Sequence, residues 1–81
     1  MTTIIGIKLP NRDNTAIEFQ KIMTKYGCII KTRLGLHSLQ GGFCTPFGII
    51  LLEIIDHKKL RELEAELLKI DKIEIQTMTF D

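Results

Sequence analysis

"RLGLHSLQGGFCTPFGIILLEI", residues 33–54, decides the fold. It ends one strand-like run and contains most of the next, with no helical pattern between them. Upstream, "CIIKTRLGL" (28–36) alternates: Cys28, Ile30, Thr32, Leu34 and Leu36 fall on one side, while Lys31, Arg33 and Gly35 fall on the other. That alternation predicts a strand whose even positions meet the core. Downstream, "FGIILLEII" (47–55) is a continuous β-branched and aliphatic run, also a strand. Residues 37–46, with Gly41, Gly42 and Pro46, are expected to form a long loop joining the two.

Working outward, "TTIIGIKL" (2–9) predicts a first strand, stopped by Pro10. Apolar residues at Ala16, Phe19, Ile22, Met23 and Tyr26 then follow helical spacing. Thr15 and Glu18 have capping-box spacing, Asn11 and Asp13 offer earlier caps, and Gly27 suits the C′ position. A second helix is capped by Asp56 and carries the stripe Leu60, Leu63, Leu67 and Ile70. "DKIEIQTMTF" (71–80) closes as a fourth strand. The order βαββαβ is the ferredoxin-like, split-βαβ pattern of the α+β class. It implies a single domain over residues 1–81, with both helices on one face of a four-stranded antiparallel sheet.

Composition narrows the function classes. Eleven basic and ten acidic residues give a formal charge of +1. No basic stripe is present, so nucleic acid is not an expected partner. The longest apolar run is too short to cross a bilayer, and the first residues lack a signal-peptide pattern. Two cysteines do not make a secreted disulfide framework, and the expected location is the cytoplasm. Cys28 and Cys44 lie too far apart along the predicted strand to pair within one subunit, and Cys28 is expected as a small buried hydrophobe.

Strand 3 is apolar on both sides. Gly48, Ile50, Leu52 and Ile54 alternate with Ile49, Leu51, Glu53 and Ile55. A strand that is apolar on both faces needs cover on both, and two helices cover one. The expectation is therefore a homo-oligomer, dimer or tetramer, with Ile50 and Ile54 on its interface.

The candidate site borders the loop. Arg33, Gly35 and His37 form one constellation, with Lys31 nearby and Gly41 and Gly42 offering backbone amides to an anion. A solvated strand face explains the same residues. His37 and Cys44 suit a transition metal or a reactive thiol, although a structural zinc site wants four ligands. Catalysis has little support: no Ser-His-Asp set, paired carboxylates, phosphate loop or dinucleotide fingerprint is present.

Tyr26-Gly27, Arg33-Leu34-Gly35 and the strand 3 pattern, within "YGCIIKTRLGLH", "GIILLEI" and "IEIQTMTF", resemble small stand-alone ACT-like, ferredoxin-like proteins, among them the family of iron-only hydrogenase system regulators. The resemblance implies a βαββαβ oligomer with a regulatory or sensory role. More distantly, the hairpin is similar to the metal-sensing domain of nickel-responsive repressors, of whose ligands only His37 and Cys44 have counterparts here. ACT domains bind amino acids near a glycine-containing turn between strand 1 and helix 1. Here that turn is "LPNRDN", without glycine. The resulting expectation is a non-catalytic regulatory module binding a small-molecule effector or protein partner. The alternative is a metal- or thiol-dependent sensor using His37 and Cys44.

Overall fold

The computed structural model describes residues 1–10, 15–40 and 43–81, and their side chains except over residues 36–40 and 43–47. The described elements are β1 (Thr2–Lys8), α1 (Thr15–Lys25), β2 (Ile30–Gln40), β3 (Phe43–Ile54), α2 (Leu60–Leu67) and β4 (Glu74–Phe80). Short 3₁₀ turns, Gly27–Ile29 and His57–Lys59, lead into β2 and α2. The sheet runs β2-β3-β1-β4 and every neighbouring pair is antiparallel. This is the ferredoxin-like βαββαβ arrangement.

Both helices lie on one sheet face because their stripes share one core with alternate strand positions. Ile5 and Ile7 of β1 and Leu52 and Ile54 of β3 cluster with Phe19 and Met23 of α1 and Leu63 and Leu67 of α2. Tyr26, Ile29 and Ile70 close its ends. Each large aliphatic side chain removed from water here contributes about 1.5–3 kcal/mol. On the outer surface the Lys25 Nζ lies 3.5 Å from a Glu66 carboxylate oxygen, joining the helices. Lys25 and Lys69 hold the Glu66 carboxyl below the usual range, and Glu66 raises the Lys25 ammonium above its own. The interaction therefore fades as pH falls through the lowered Glu66 value and as it rises through the raised Lys25 value.

Several local expectations give way to different geometry. Thr15 is the first helical residue. Its buried hydroxyl has no hydrogen-bond partner among the described residues, so it does not form a capping box with Glu18. The alternative caps Asn11 and Asp13 lie outside the described residues. Asp56 caps the 3₁₀ turn His57–Lys59 rather than α2, accepting from the Lys58 amide at 3.0 Å, and α2 follows Lys59 without a side-chain cap. Gly27 does not terminate α1 in the left-handed region; the chain passes into a 3₁₀ turn instead. That turn takes Cys28 out of the strand and leaves it exposed, not buried.

The expected ten-residue loop is shorter. Pairs Ser38↔Thr45, Leu39↔Cys44 and Gln40↔Phe43 carry β2 on to Gln40 and start β3 at Phe43. Pro46 fits because the register breaks there. Between Leu36↔Ile49 and Ser38↔Thr45, three β3 residues stand opposite His37 alone. A proline, lacking an N–H, is tolerated at such an irregularity.

Candidate functional site

A second irregularity decides what the candidate site residues face. Ile30 pairs with Ile54, but Thr32 pairs with Glu53, leaving Lys31 as an extra residue in β2. Beyond this bulge the alternation inverts. Arg33 and Gly35, not Thr32 and Leu34, share the helix side with their partners Leu52 and Ile50. Leu34 turns to the other face and is 51% exposed.

Arg33 is therefore held by α1. Its guanidinium lies 5.3 Å from the centre of the Phe19 ring and donates to Gln20 Oε1 at 3.2 Å. Lys31 reaches the opposite face, where its Nζ lies 4.0 Å from Glu53 Oε2. Thr32 Oγ1 donates to the same carboxylate at 3.3 Å. The two cations thus do not converge on one anion. A Cβ added at Gly35 would meet nothing within 4 Å, so the space beside Arg33 is open. The His37 and Cys44 side chains, and Gly41 and Gly42 entirely, lie outside the described residues. Among the described residues, no group of three or more His, Cys, Asp or Glu could hold a metal ion.

Arg33→Ala removes both the ring contact and the hydrogen bond, and should cost about 0.5–1 kcal/mol of stability. Arg33→Lys should recover only part, because an ammonium lacks the planar fork. Urea denaturation checks this; an unchanged midpoint for Arg33→Ala would show that the contact contributes nothing in solution.

The helix-free face offers a more extensive surface. Register arranges it in rows: Thr32–Glu53–Ile4–Met78, then Leu34–Leu51–Gly6–Gln76, then Ile49–Lys8–Glu74, with Thr2–Phe80 beyond the first row. Leu34, Ile49, Met78 and Phe80 are exposed, while Ile4 and Leu51 are half-buried. The expected interface residues Ile50 and Ile54 are not on this face. Ile54 is buried under the helices and Ile50 packs against the same core. The β1 register sets the side, because Ile5 and Ile7 pair with Leu52 and Ile50.

Gly6 contributes a dip to this face. A shallow hollow of about 250 Å³ is lined by Gly6, Lys8, Ile49, Glu74, Gln76 and Met78. Its bed is apolar and its rim carries one ammonium, one carboxylate and one amide. Behind the sheet a different polar group was missed in the sequence. His57 Nε2 lies 2.7 Å from the fully buried Thr3 hydroxyl, which lies 3.4 Å from that of Thr79. This chain pins the start of α2 to β1 and β4. The alternation that buries Thr3 gives no hint of His57 as its partner, since they lie 54 positions apart.

No protein-family model matches the chain, and no curated protein does. Solved structures do resemble it. An uncharacterised protein from Thermotoga maritima superposes with a TM-score of 0.79 at 17% identity, covering 99% of this chain and 96% of that one. A formyltetrahydrofolate deformylase from Pseudomonas putida gives 0.55 at 14% identity, and the match spans only 29% of that longer enzyme. At such identities the likeness is one of fold.

Proposed function

We propose that the protein is a non-catalytic regulatory or sensory module that self-associates through the helix-free sheet face and binds a small effector where two copies meet. The apolar rows of that face carry this reading. Leu34, Leu51, Ile49, Ile4, Met78 and Phe80 form one continuous surface. A patch of this kind on a small domain marks an interaction site. The hollow at Gly6 supports the second part. It is open on a lone copy, and a second copy laid over it would close it and add its own, bringing the joint space into the range of small-molecule sites. The apolar bed with an ammonium, a carboxylate and an amide at its rim suits a small, partly polar molecule.

Native mass spectrometry and sedimentation equilibrium of untagged protein test the proposal. A dimer or tetramer at about 10 μM is the expected result, with a discrete additional mass when an effector co-purifies. A bare monomer at about 100 μM would remove self-association and the shared site together.

A further inference from the structure

We infer that two copies stack face to face about an oblique twofold axis that sets Glu53 of each copy on Lys8 of the other. This rests on the self-association proposed above and specifies its geometry. The two charges stand at opposite corners of the central strand pair. Glu53 is on β3 in the Ile4 row, and Lys8 is on β1 in the Ile49 row, with Leu51 and Gly6 between them. They differ in sign, and among the described residues Lys8 forms no ion pair within its own copy. A face with opposite charges at opposite corners and an apolar centre is complementary to itself.

The placement of the axis follows from which groups would meet. An axis parallel to the strands exchanges the β1 and β3 positions within each row. Glu53 would then face Ile4, and Lys8 would face Ile49. An axis across the strands exchanges the outer rows, setting Glu53 on Ile49 and Lys8 on Ile4. Either choice sets both charges against aliphatic groups of the other copy, so Lys8 loses water without gaining an ion pair and Glu53 keeps only its own Lys31, an unfavourable arrangement. The oblique axis perpendicular to the Glu53–Lys8 line pairs both at once, twice per dimer. It also brings Leu51 against Leu51 and Ile49 towards Leu34, filling the centre with aliphatic groups.

Sheet geometry accepts this arrangement. Glu53 and Lys8 are one strand apart, about 4.8 Å, and four residues along, about 13 Å. The line between them is therefore inclined by roughly 20° to the strands, and the strands of the two copies cross at roughly 40°. That is close to the roughly 30° of aligned sheet packing, and in the same sense for right-handed βαβ connections. The charge pairing therefore requires no unusual crossing of the sheets. The two Gly6 positions meet near the axis and the Lys8 end of each hollow lies under the Glu53–Ile4 row of the other copy, so the same operation that pairs the charges covers the proposed effector space.

A charge swap tests the arrangement by sedimentation equilibrium at about 0.05 M salt. Lys8→Glu and Glu53→Lys should each raise the dimer Kd at least roughly tenfold, and the double variant should return to within about threefold of the parent. Glu53→Gln removes the charge while keeping an oxygen for the Thr32 hydroxyl. It should also weaken the dimer while retaining the parent's melting behaviour at a protein concentration low enough for both to be monomeric, which separates the pairing from a folding defect. A double variant as weak as the single ones would overturn the pairing, as would single variants that dimerise like the parent. Edge-to-edge association through β2 or β4 gives that second outcome. A parent protein that stays monomeric at about 100 μM is different, because it removes self-association itself.

Discussion

Leu63→Ala is expected to cost about 3 kcal/mol of folding stability. Leu63 is fully buried on α2, in the cluster that joins both helices to β1 and β3. Truncation removes its transfer free energy and leaves a cavity that β-branched neighbours such as Ile5, Ile7 and Ile54 fill poorly, since their χ1 angles are stiff. A domain of this size has roughly 4–12 kcal/mol in total, so the loss is a large fraction. Leu68→Ala is the matched control. Leu68 lies just beyond the end of α2 and is 61% exposed, and its truncation should change stability by less than about 0.5 kcal/mol. Denaturant unfolding followed by circular dichroism, at one fixed protein concentration, separates the two. Because self-association stabilises the native state by mass action, the concentration must not vary between variants. Equal midpoints for the two alanine variants would mean that α2 does not pack on the sheet as described.

Much of this core is readable from the chain because the relevant periods are local. Leu60, Leu63, Leu67 and Ile70 repeat at helical spacing after Asp56, and Asp56 does cap the turn that leads in. Pro10 after a β-branched run, and the second strand followed by the third without a helix, fix the order of elements. The faces of the hairpin are another matter. One extra residue, Lys31, inverts every position from Thr32 onward, and nothing in "IIKTRLG" marks the bulge. A glycine is often the cue for such a site, but here the residue is a lysine, whose side chain reaches Glu53. Arg33 was therefore legible as a functional candidate, whereas its seat over Phe19 was not. In the same way, both sides of β3 are visibly apolar in sequence. Which side the helices take depends on its pairing with β1, a long-range register that no local period encodes. Lys8 and Glu53 become diagonal partners only once that register is known.

Leu51→Lys should leave a folded monomer and raise the dimer Kd by roughly a hundredfold or more. Leu51 lies in the middle row of the helix-free face, between Leu34 and Gly6, and is only half-buried in a single copy. Within one copy the substitution is mild. A lysine stem covers the neighbouring apolar surface, its ammonium reaches solvent, and Glu53 two residues along the same face offers an opposite charge. Across the proposed axis the consequence is severe, because the introduced ammonium of one copy would meet that of the other in the most enclosed part of the contact. Two like charges would lose water there without gaining a partner. Ile50→Lys gives the contrasting result, since Ile50 packs against the helix-side core: it should lower folding stability by at least about 2 kcal/mol, whether or not the protein associates. Size by light scattering and melting temperature by circular dichroism, read on both variants, form a two-by-two test. Association lost for Leu51→Lys, with melting retained relative to the parent at a concentration where both are monomeric, and melting lost for Ile50→Lys, is the pattern expected if the helix-free face joins the copies. A Leu51→Lys variant that dimerises like the parent would move the contact elsewhere, and with it the shared effector site.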